Sequence, residues 1–283
     1  MNLSDSAVLV QLSISQWTAR KYDRKISKEV ADNHGTIAEA GRYNKVLLPA
    51  NDALKNVHSK TQFIRGLFYE NTLPWGLEGQ QILPTGNYLN FINMFRKERA
   101  EWNSLVDTFI TAYPALKAEA KRFLPNGMYN EEDYPEPSAI YKRFKMDIAV
   151  FPVPTTDFRV QIGNEEMERV KSDIEGRVTQ AAQNAMFDVW QRLFDKVKHI
   201  AEKLADPKAI FRDSMIENAR ELCELLPKLN FSDDPNLEKM RQEVEARLAG
   251  NHPDALRNDP DLRRSTAEEA NRIMDQMRGF MGG

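Results

Sequence analysis

Residues 165–205 decide the fold, and they read EEMERVKSDIEGRVTQAAQNAMFDVWQRLFDKVKHIAEKLA. Apolar residues recur in this stretch at steps of three and four, which is the spacing of one helix face. They are Met167, Val170, Ile174, Val178, Ala182, Met186, Val189, Leu193, Val197, Ile200 and Leu204. Because no proline interrupts the pattern, we predict a single helix about 60 Å long, at about 1.5 Å per residue.

Three shorter stretches show the alternation of apolar and polar residues that is typical of β-strands, at residues 7–17, 144–151 and 158–162. They predict a small antiparallel sheet, so the fold class is α+β and mainly helical, with the helices packed on one side of the sheet. Residues 72–86 are rich in proline and glycine, and we interpret them as an ordered loop whose apolar side chains face inward.

The remaining helices between the strands are predicted from their ends. Asn51 is a candidate N-cap for a helix with Leu54 and Phe68 on its apolar face. Asn87 opens a second long helix, and Pro114 should kink or end it because proline lacks the amide donor.

Prolines and capping residues also predict the domain organisation. Residues 1–205 form a mixed α+β core with the long helix, and residues 206–250 form a helical extension. Residues 251–264 are polar, contain two prolines and are interpreted as a linker. Ser265 starts a capping box before a short C-terminal helix, whose few apolar residues should anchor it only weakly, so 251–283 is a linker with a short helix.

Composition indicates a globular protein of a reducing compartment. The 283 residues are 41% hydrophobic and 29% charged, with a net charge of −3 that argues against a bulk nucleic-acid or membrane binder. Cys223 is the one cysteine, so no intrachain disulfide forms. We find neither a signal peptide nor a run of 18 apolar residues, and we expect a cytoplasmic protein that does not act at a membrane.

The sequence offers no chemical motif. It contains neither of the glycine-rich phosphate-binding motifs, and its four histidines lie in separate segments. Cys223 has the position of a buried apolar residue, and the acidic segment Glu131–Asp133 is explained by solvation and capping. We therefore assign no catalytic residue, no cofactor and no metal site, and we expect a protein that is not an enzyme.

Basic and aromatic residues interleave in several segments, which is typical of proteins that bind single-stranded nucleic acid. The segments are Phe95–Arg99, Lys121–Phe123 and Tyr141–Lys145, and the stretch from Arg20 to Lys28 adds five more cations. Their aromatic residues fall on predicted core faces, so helices with ordinary solvated polar faces explain the pattern as well. The candidates for nucleic-acid contacts are Arg20, Lys21, Arg24, Lys25, Lys28, Arg96, Lys97, Arg99, Lys142, Arg143 and Lys145.

Several segments resemble a family of phage and bacterial proteins of unknown function. They are LPWGLEGQQILPTGNYLNF at 73–91, FRKERAEW at 95–102, YPEPSAIYKRFKMDIAVFPVPTTDFRV at 134–160 and FRDSMIENARELCELLPKLN at 211–230. The likeness extends over residues 7–250. Members of the family are mostly helical and are often encoded beside MoxR-type AAA+ ATPases and von Willebrand A-domain proteins, in an arrangement similar to the cobaltochelatase subunit pair. The resemblance implies a phage context, hence the host cytoplasm, and an AAA+ ATPase partner, and it carries over no catalytic residue.

Two functions of different classes follow. The first is a non-enzymatic phage protein that acts by protein–protein interaction or self-assembly, as an accessory of an AAA+ ATPase. The two long helices could pair with each other, or the longer one could pair with a second protomer as a homo-oligomer. The alternative is a protein of phage recombination that binds and anneals single-stranded DNA. Two further hypotheses, which we favour less, are an inhibitor of host defence and a cryptic hydrolase.

Overall fold

The computed structural model describes residues 3–76, 79–125, 127–157 and 164–281. The strands are β1 (Ala7–Ser15), β2 (Arg20–Tyr22), β3 (Asn44–Val46), β4 (Leu73–Pro74), β5 (Gln80–Pro84) and β6 (Lys145–Phe151). The helices are α1 (Leu3–Ser6), α2 (Arg24–Asn33), α3 (Asp52–Asn71), α4 (Thr85–Phe123), α5 (Pro137–Tyr141), α6 (Asn164–Ala205), α7 (Ser214–Leu229), α8 (Pro235–Val244), α9 (Pro253–Asn258) and α10 (Pro260–Met281). The fold is therefore α+β and mainly helical, as predicted.

The long helix is confirmed as α6, which runs without a break over 42 residues. Its buried residues all lie between Ala181 and Leu204, and α10 and α7 pack against this part of the helix. Alanines on α6 and on α10, among them Ala185 and Ala270, are fully buried, and their small side chains let two helices approach closely. The predicted rod thus has a buried C-terminal half, and from 164 to 180 none of its residues is buried.

The main sheet has four strands in the order β4–β5–β1–β6. β1 runs antiparallel to β5, with Ala7 opposite Pro84 and Gln11 opposite Gln80. The strands predicted at 7–17 and 144–151 correspond to β1 and β6. The one predicted at 158–162 lies outside the described residues.

The interpretation of 72–86 as a loop was wrong, because β4 and β5 lie within it. Leu73 pairs with Ile82 across the two strands, and β5 is the direct neighbour of β1. The side chains of Trp75, Ile82 and Leu83 are buried as predicted. A strand of five residues between prolines and glycines has too little alternation to be recognised from its own sequence.

The linker predicted at 251–264 was also wrong, since this segment contains α9 and the start of α10. Pro253 and Pro260 occupy the first turns of these helices, where proline's missing amide costs no hydrogen bond. Ser265 therefore lies inside α10 and caps nothing. Ile273 and Met277 are fully buried, so α10 is firmly anchored in the core.

Helix α4 continues through Pro114 to Phe123, where the sequence had predicted a kink or an end. Pro114 is exposed, so water can solvate the carbonyl that loses its amide partner. The Asn51 cap is confirmed, because its side-chain oxygen accepts a 2.9 Å hydrogen bond from the Leu54 amide.

The chain forms two compact units. The first comprises Met1–Gln11, Phe68–Ile92 and Ala149–Gly283, and it contains the α6 core. The second comprises Leu12–Leu67 and Asn93–Ile148. Its core is aromatic: Trp102 donates a 2.8 Å hydrogen bond to Thr61, and the rings of Phe109 and Phe144 lie 5.9 Å apart.

Candidate nucleic-acid interface

Charge divides between the two units more sharply than between the two halves of the sequence. The second unit holds 19 Lys and Arg against 14 Asp and Glu, a net charge of +5, and we call it the basic unit. The first holds 20 against 28, a net charge of −8, and we call it the acidic unit. A net charge of −3 for the whole chain therefore conceals a unit with an excess of cations, which is a property of surfaces that bind nucleic acid.

All eleven predicted contact residues belong to the basic unit. Two form ion pairs, Lys21 with Asp133 and Arg99 with Asp147. Within the described part of the chain the other nine make no ion pair, and they are exposed: Arg20, Arg24, Lys25, Lys28, Arg96, Lys97, Lys142, Arg143 and Lys145. These nine cations are therefore free to contact a ligand.

A groove of about 740 Å³ lies in the basic unit, bordered by the end of β1, by β3 and by the first turns of α3. We call it the α3 groove, and the lining residues that matter for its chemistry are Gln16, Arg20, Asn51, Lys55, His58 and Phe123. None of the described residues that line it is Asp or Glu. Two cations without an opposing carboxylate give this groove a positive potential, which attracts phosphate groups.

An aromatic side chain stands at the same groove. Phe123, the last residue of α4, is 44% exposed, although a phenylalanine is usually buried. An exposed ring beside cations can stack on an unpaired base. The aromatic residues of the basic segments were predicted to lie on core faces. This is correct for Phe95 and Phe144, which are buried, whereas Phe123 and Tyr141 are exposed.

The polar groups of the groove are held in place by hydrogen bonds behind them. The side-chain oxygen of Gln16 accepts a 2.9 Å hydrogen bond from the Thr61 hydroxyl, which leaves the amide NH₂ of Gln16 as a donor. His58 Nε2 lies 3.2 Å from the carbonyl oxygen of Trp17. Asn51 caps α3, so the positive end of this 20-residue helix borders the groove. Gln16 and His58 therefore need little reorganisation to meet a ligand.

Ala19, which also lines the groove, has the unusual backbone angle φ = 51° while it is 98% buried. This left-handed conformation is unfavourable for alanine, by roughly 1–2 kcal/mol. The carbonyl of Ala19 accepts a 2.8 Å hydrogen bond from the Leu47 amide, which holds the turn. The strained residue directly precedes Arg20 and fixes where that side chain leaves the backbone.

Sequence reasoning found only part of this site. Of the eleven predicted residues, Arg20 alone lines the groove. Lys55 was missed because it is an isolated cation on the polar face of α3, and Phe123 was noted only as part of a basic segment. The convergence of positions 20, 55 and 123 depends on the tertiary fold, so no local pattern could have revealed it.

Other chemistry is not evident in the described residues. No group of three or more His, Cys, Asp or Glu side chains there is placed to hold a metal ion. Cys223 is buried, as predicted, and burial raises the pKa of its thiol to about 11, so it is a poor nucleophile.

Among the described residues no helix has the length and apolar character needed to cross a membrane. Comparisons with protein-family models, curated proteins and solved structures gave no match to the chain.

A cluster of charges connects Lys45 of β3 with Asp23 and with the segment from Met128 to Asp133. Lys45 Nζ lies 2.6 Å from Asp133 Oδ2 and 3.4 Å from Asp23 Oδ2, and it donates a 3.0 Å hydrogen bond to the Met128 carbonyl. Burial alone would raise the pKa of Asp133, but its hydrogen bonds with Lys21 and Lys45 outweigh this and lower the pKa. For Lys45 burial is likewise outweighed, and the contact with Asp133 raises the pKa. Asp133, a residue of the acidic segment, is therefore structural.

We predict that Asp133→Asn destabilises the protein by about 3 kcal/mol, because it removes the closer of the two carboxylates that balance the charge of the buried Lys45. The lowered pKa means that Asp133 stabilises the fold above its usual pKa of 3.8, and that this contribution is lost as the pH falls through the lower folded value. Urea unfolding between pH 2 and 7 should show a weaker acid dependence in the variant. Glu132→Gln, next to it and exposed, is the control, and equal stability of the two variants would contradict the assignment.

Proposed function

We propose that the protein binds single-stranded nucleic acid through the α3 groove and the exposed cations of the basic unit. The observation that carries the proposal is the carboxylate-free lining of this groove, with Arg20 and Lys55 beside the exposed ring of Phe123. Phosphate contacts by Lys and Arg supply most of the affinity of such proteins, and stacking on aromatic rings adds to it. No cofactor or catalytic residue is needed for this function.

A single strand suits the site better than a duplex. The bases of a duplex are stacked inside it, so a ring such as Phe123 cannot reach their faces without unpairing them. Helix α2 provides only Arg24, Lys25 and Lys28, a row of cations that is short for a helix that fills a major groove. Tyr22 and Tyr141 are also exposed on this unit. Lys21 precedes Tyr22, and Lys142 follows Tyr141.

The double variant Arg20→Gln with Lys55→Gln should bind a fluorescent single-stranded oligonucleotide more weakly than the wild type. Each lost phosphate contact reduces the dependence of log K on log salt by about 0.7 for single strands, so the slope should fall by about 1.4. Fluorescence anisotropy over a range of salt concentrations measures both quantities.

The matched control is Lys228→Gln with Lys239→Gln, which removes two exposed charges from the acidic unit. If this control lowers the slope as much as the groove variant does, the binding is a general charge effect. If the wild type fails to bind the oligonucleotide even at low salt, the proposed function is wrong.

Phe123→Ala should weaken binding of the single strand by about 5- to 150-fold, because stacking contributes roughly 1–3 kcal/mol per base. Its effect on the salt slope should be small, since no charge is removed. Phe187→Ala, an equally exposed ring on α6, should leave the affinity unchanged. An unaltered affinity for Phe123→Ala in the same titration would rule out stacking at this position.

Self-association through residues 164–180 of α6 is a second candidate, and a specific pattern favours it. Residues 164–180 are never fully buried, and along them Met167, Val170, Ile174 and Val178 are half-buried. Two copies in antiparallel contact about a two-fold axis near Ser172 would place Val170 opposite Ile174. The same arrangement brings Glu168 of one copy to Arg177 of the other. A self-complementary pattern of this kind is what a two-fold dimer requires.

The wild type should therefore show the mass of a dimer by light scattering, and Ile174→Asp should shift it to a monomer because a charge is forced into the apolar seam. Thr179→Asp adds the same charge at an exposed position of α6 and should remain dimeric. A wild type that is monomeric at all concentrations would exclude this candidate. The phage context and the AAA+ ATPase partner stay predictions, and pull-down of such an ATPase from infected cells would test them.

A further inference from the structure

A second cavity, of about 310 Å³, lies in the acidic unit between α6 and the segment that leads into α7. We call it the α6–α7 cavity. Lys196, His199 and Lys203 line it from α6, at steps of three and four residues that place them on one helix face. Arg212 and Ser214 line it from the other side. None of the described residues around this cavity is Asp or Glu, although the unit as a whole has a net charge of −8.

The cations of the cavity have no partners of their own. In the described part of the chain, Lys196, Lys203 and Arg212 form neither an ion pair nor a side-chain hydrogen bond. Lys196 and Lys203 are seven residues apart, so they lie two turns from each other along the same helix face. An arrangement that brings three cations and a histidine together, without a carboxylate to offset them, is stabilised when an anion binds between them.

Three carboxylates that lie close to the lining residues in the sequence have partners outside the cavity. Asp213 pairs with Arg257. Glu202 lies 3.9 Å from Lys198, and Asp195 accepts a 2.9 Å hydrogen bond from Gln191. Among the described residues, none of these three carboxylates forms an ion pair with Lys196, Lys203 or Arg212.

The segment between α6 and α7, which lines the other side of the cavity, is held by side chains that follow it in the sequence. Arg263 of α10 donates hydrogen bonds to four backbone carbonyls at the end of α6 and just after it, those of Lys203, Leu204, Asp206 and Ala209. Arg257 also donates to the carbonyl of Phe211, at 3.2 Å. A loop fixed by so many bonds presents its side chains in one geometry, which is what an anion site needs.

Phe211 also lines the cavity, and two arginines lie close to its ring. The guanidinium carbons of Arg257 and Arg263 lie 5.1 Å and 5.4 Å from its ring centre. Next to the cavity the 16-residue helix α7 begins at Ser214, so the positive end of its dipole lies near this lining residue.

We infer that the α6–α7 cavity binds the phosphate group of a small phosphorylated molecule. Lys196, Lys203 and Arg212 neutralise the anion, and His199 and Ser214 offer further hydrogen bonds. The volume is at the lower end of that found for small-molecule sites, and it suits one or two phosphate groups with a short attachment. The site belongs to the acidic unit, so it does not depend on nucleic-acid binding by the α3 groove.

Inorganic phosphate and pyrophosphate are the probes for the test, with binding measured by isothermal titration calorimetry on the full chain. Lys203→Gln and Arg212→Gln should each weaken pyrophosphate binding by about 10- to 100-fold, the usual effect of losing a hydrogen bond to a charged group. Lys208→Gln, an exposed cation of the same loop that does not line the cavity, is the control. Circular dichroism and thermal melting verify that the variants fold.

Selective loss of affinity in the two cavity variants supports the inference. The inference is overturned if neither probe binds at millimolar concentration, or if Lys208→Gln weakens binding as much as the cavity variants. It is also overturned if these variants reduce affinity only for an oligonucleotide, because the cavity would then contribute to a polymer-binding surface. The groove variants Arg20→Gln and Lys55→Gln should leave pyrophosphate binding unchanged.

Discussion

The packing of α10 and α7 on α6 is the interaction on which the acidic unit depends. From Ala181 to Leu204 one face of α6 is buried, with small alanines between larger apolar residues. Because α10 carries Ala267 and Ala270 at its own buried positions, the two backbones can approach while Ile273 and Met277 fill the space beside them. The charged residues of α10 then lie on the opposite face, which explains why its sequence alone appears too polar for a core helix.

The same packing explains which parts of the fold were predictable from the sequence. Long elements such as α3 and α6 repeat their apolar period several times, so their existence follows from local pattern. Strand β5 was missed because its pairing partner, β1, lies about 70 residues earlier and its own apolar residues are only Ile82 and Leu83. Pro253 and Pro260 suggested a break, yet each opens a helix, since the same residue is tolerated at a helix start and disfavoured in its interior.

The candidate sites were predictable in their residue types and not in their assembly. Basic segments indicated a cationic surface, but the fold decides that Arg20 meets Lys55 and Phe123. Division of the sequence at residue 150 gave charges of +2 and −5. The contacts place residues 1–11 and 68–92 in the acidic unit. These two segments contain Asp and Glu but neither Lys nor Arg. The contrast between the units therefore becomes larger than any cut of the linear chain could show.

The charges of the protein fall into two groups that differ in burial and in pairing. Lys45 and Asp133 are buried, and each is matched by partners within hydrogen-bonding distance, because an unmatched buried charge would cost several kcal/mol. Arg20, Lys55 and Lys203 retain contact with solvent and have no ion-pair partner among the described residues. Water stabilises such a cation about as well as a surface carboxylate would, so leaving it unpaired costs the fold little. Clusters of these cations around a concave surface gain most from an external anion, and this difference separates the charges that hold the fold from those available to a ligand.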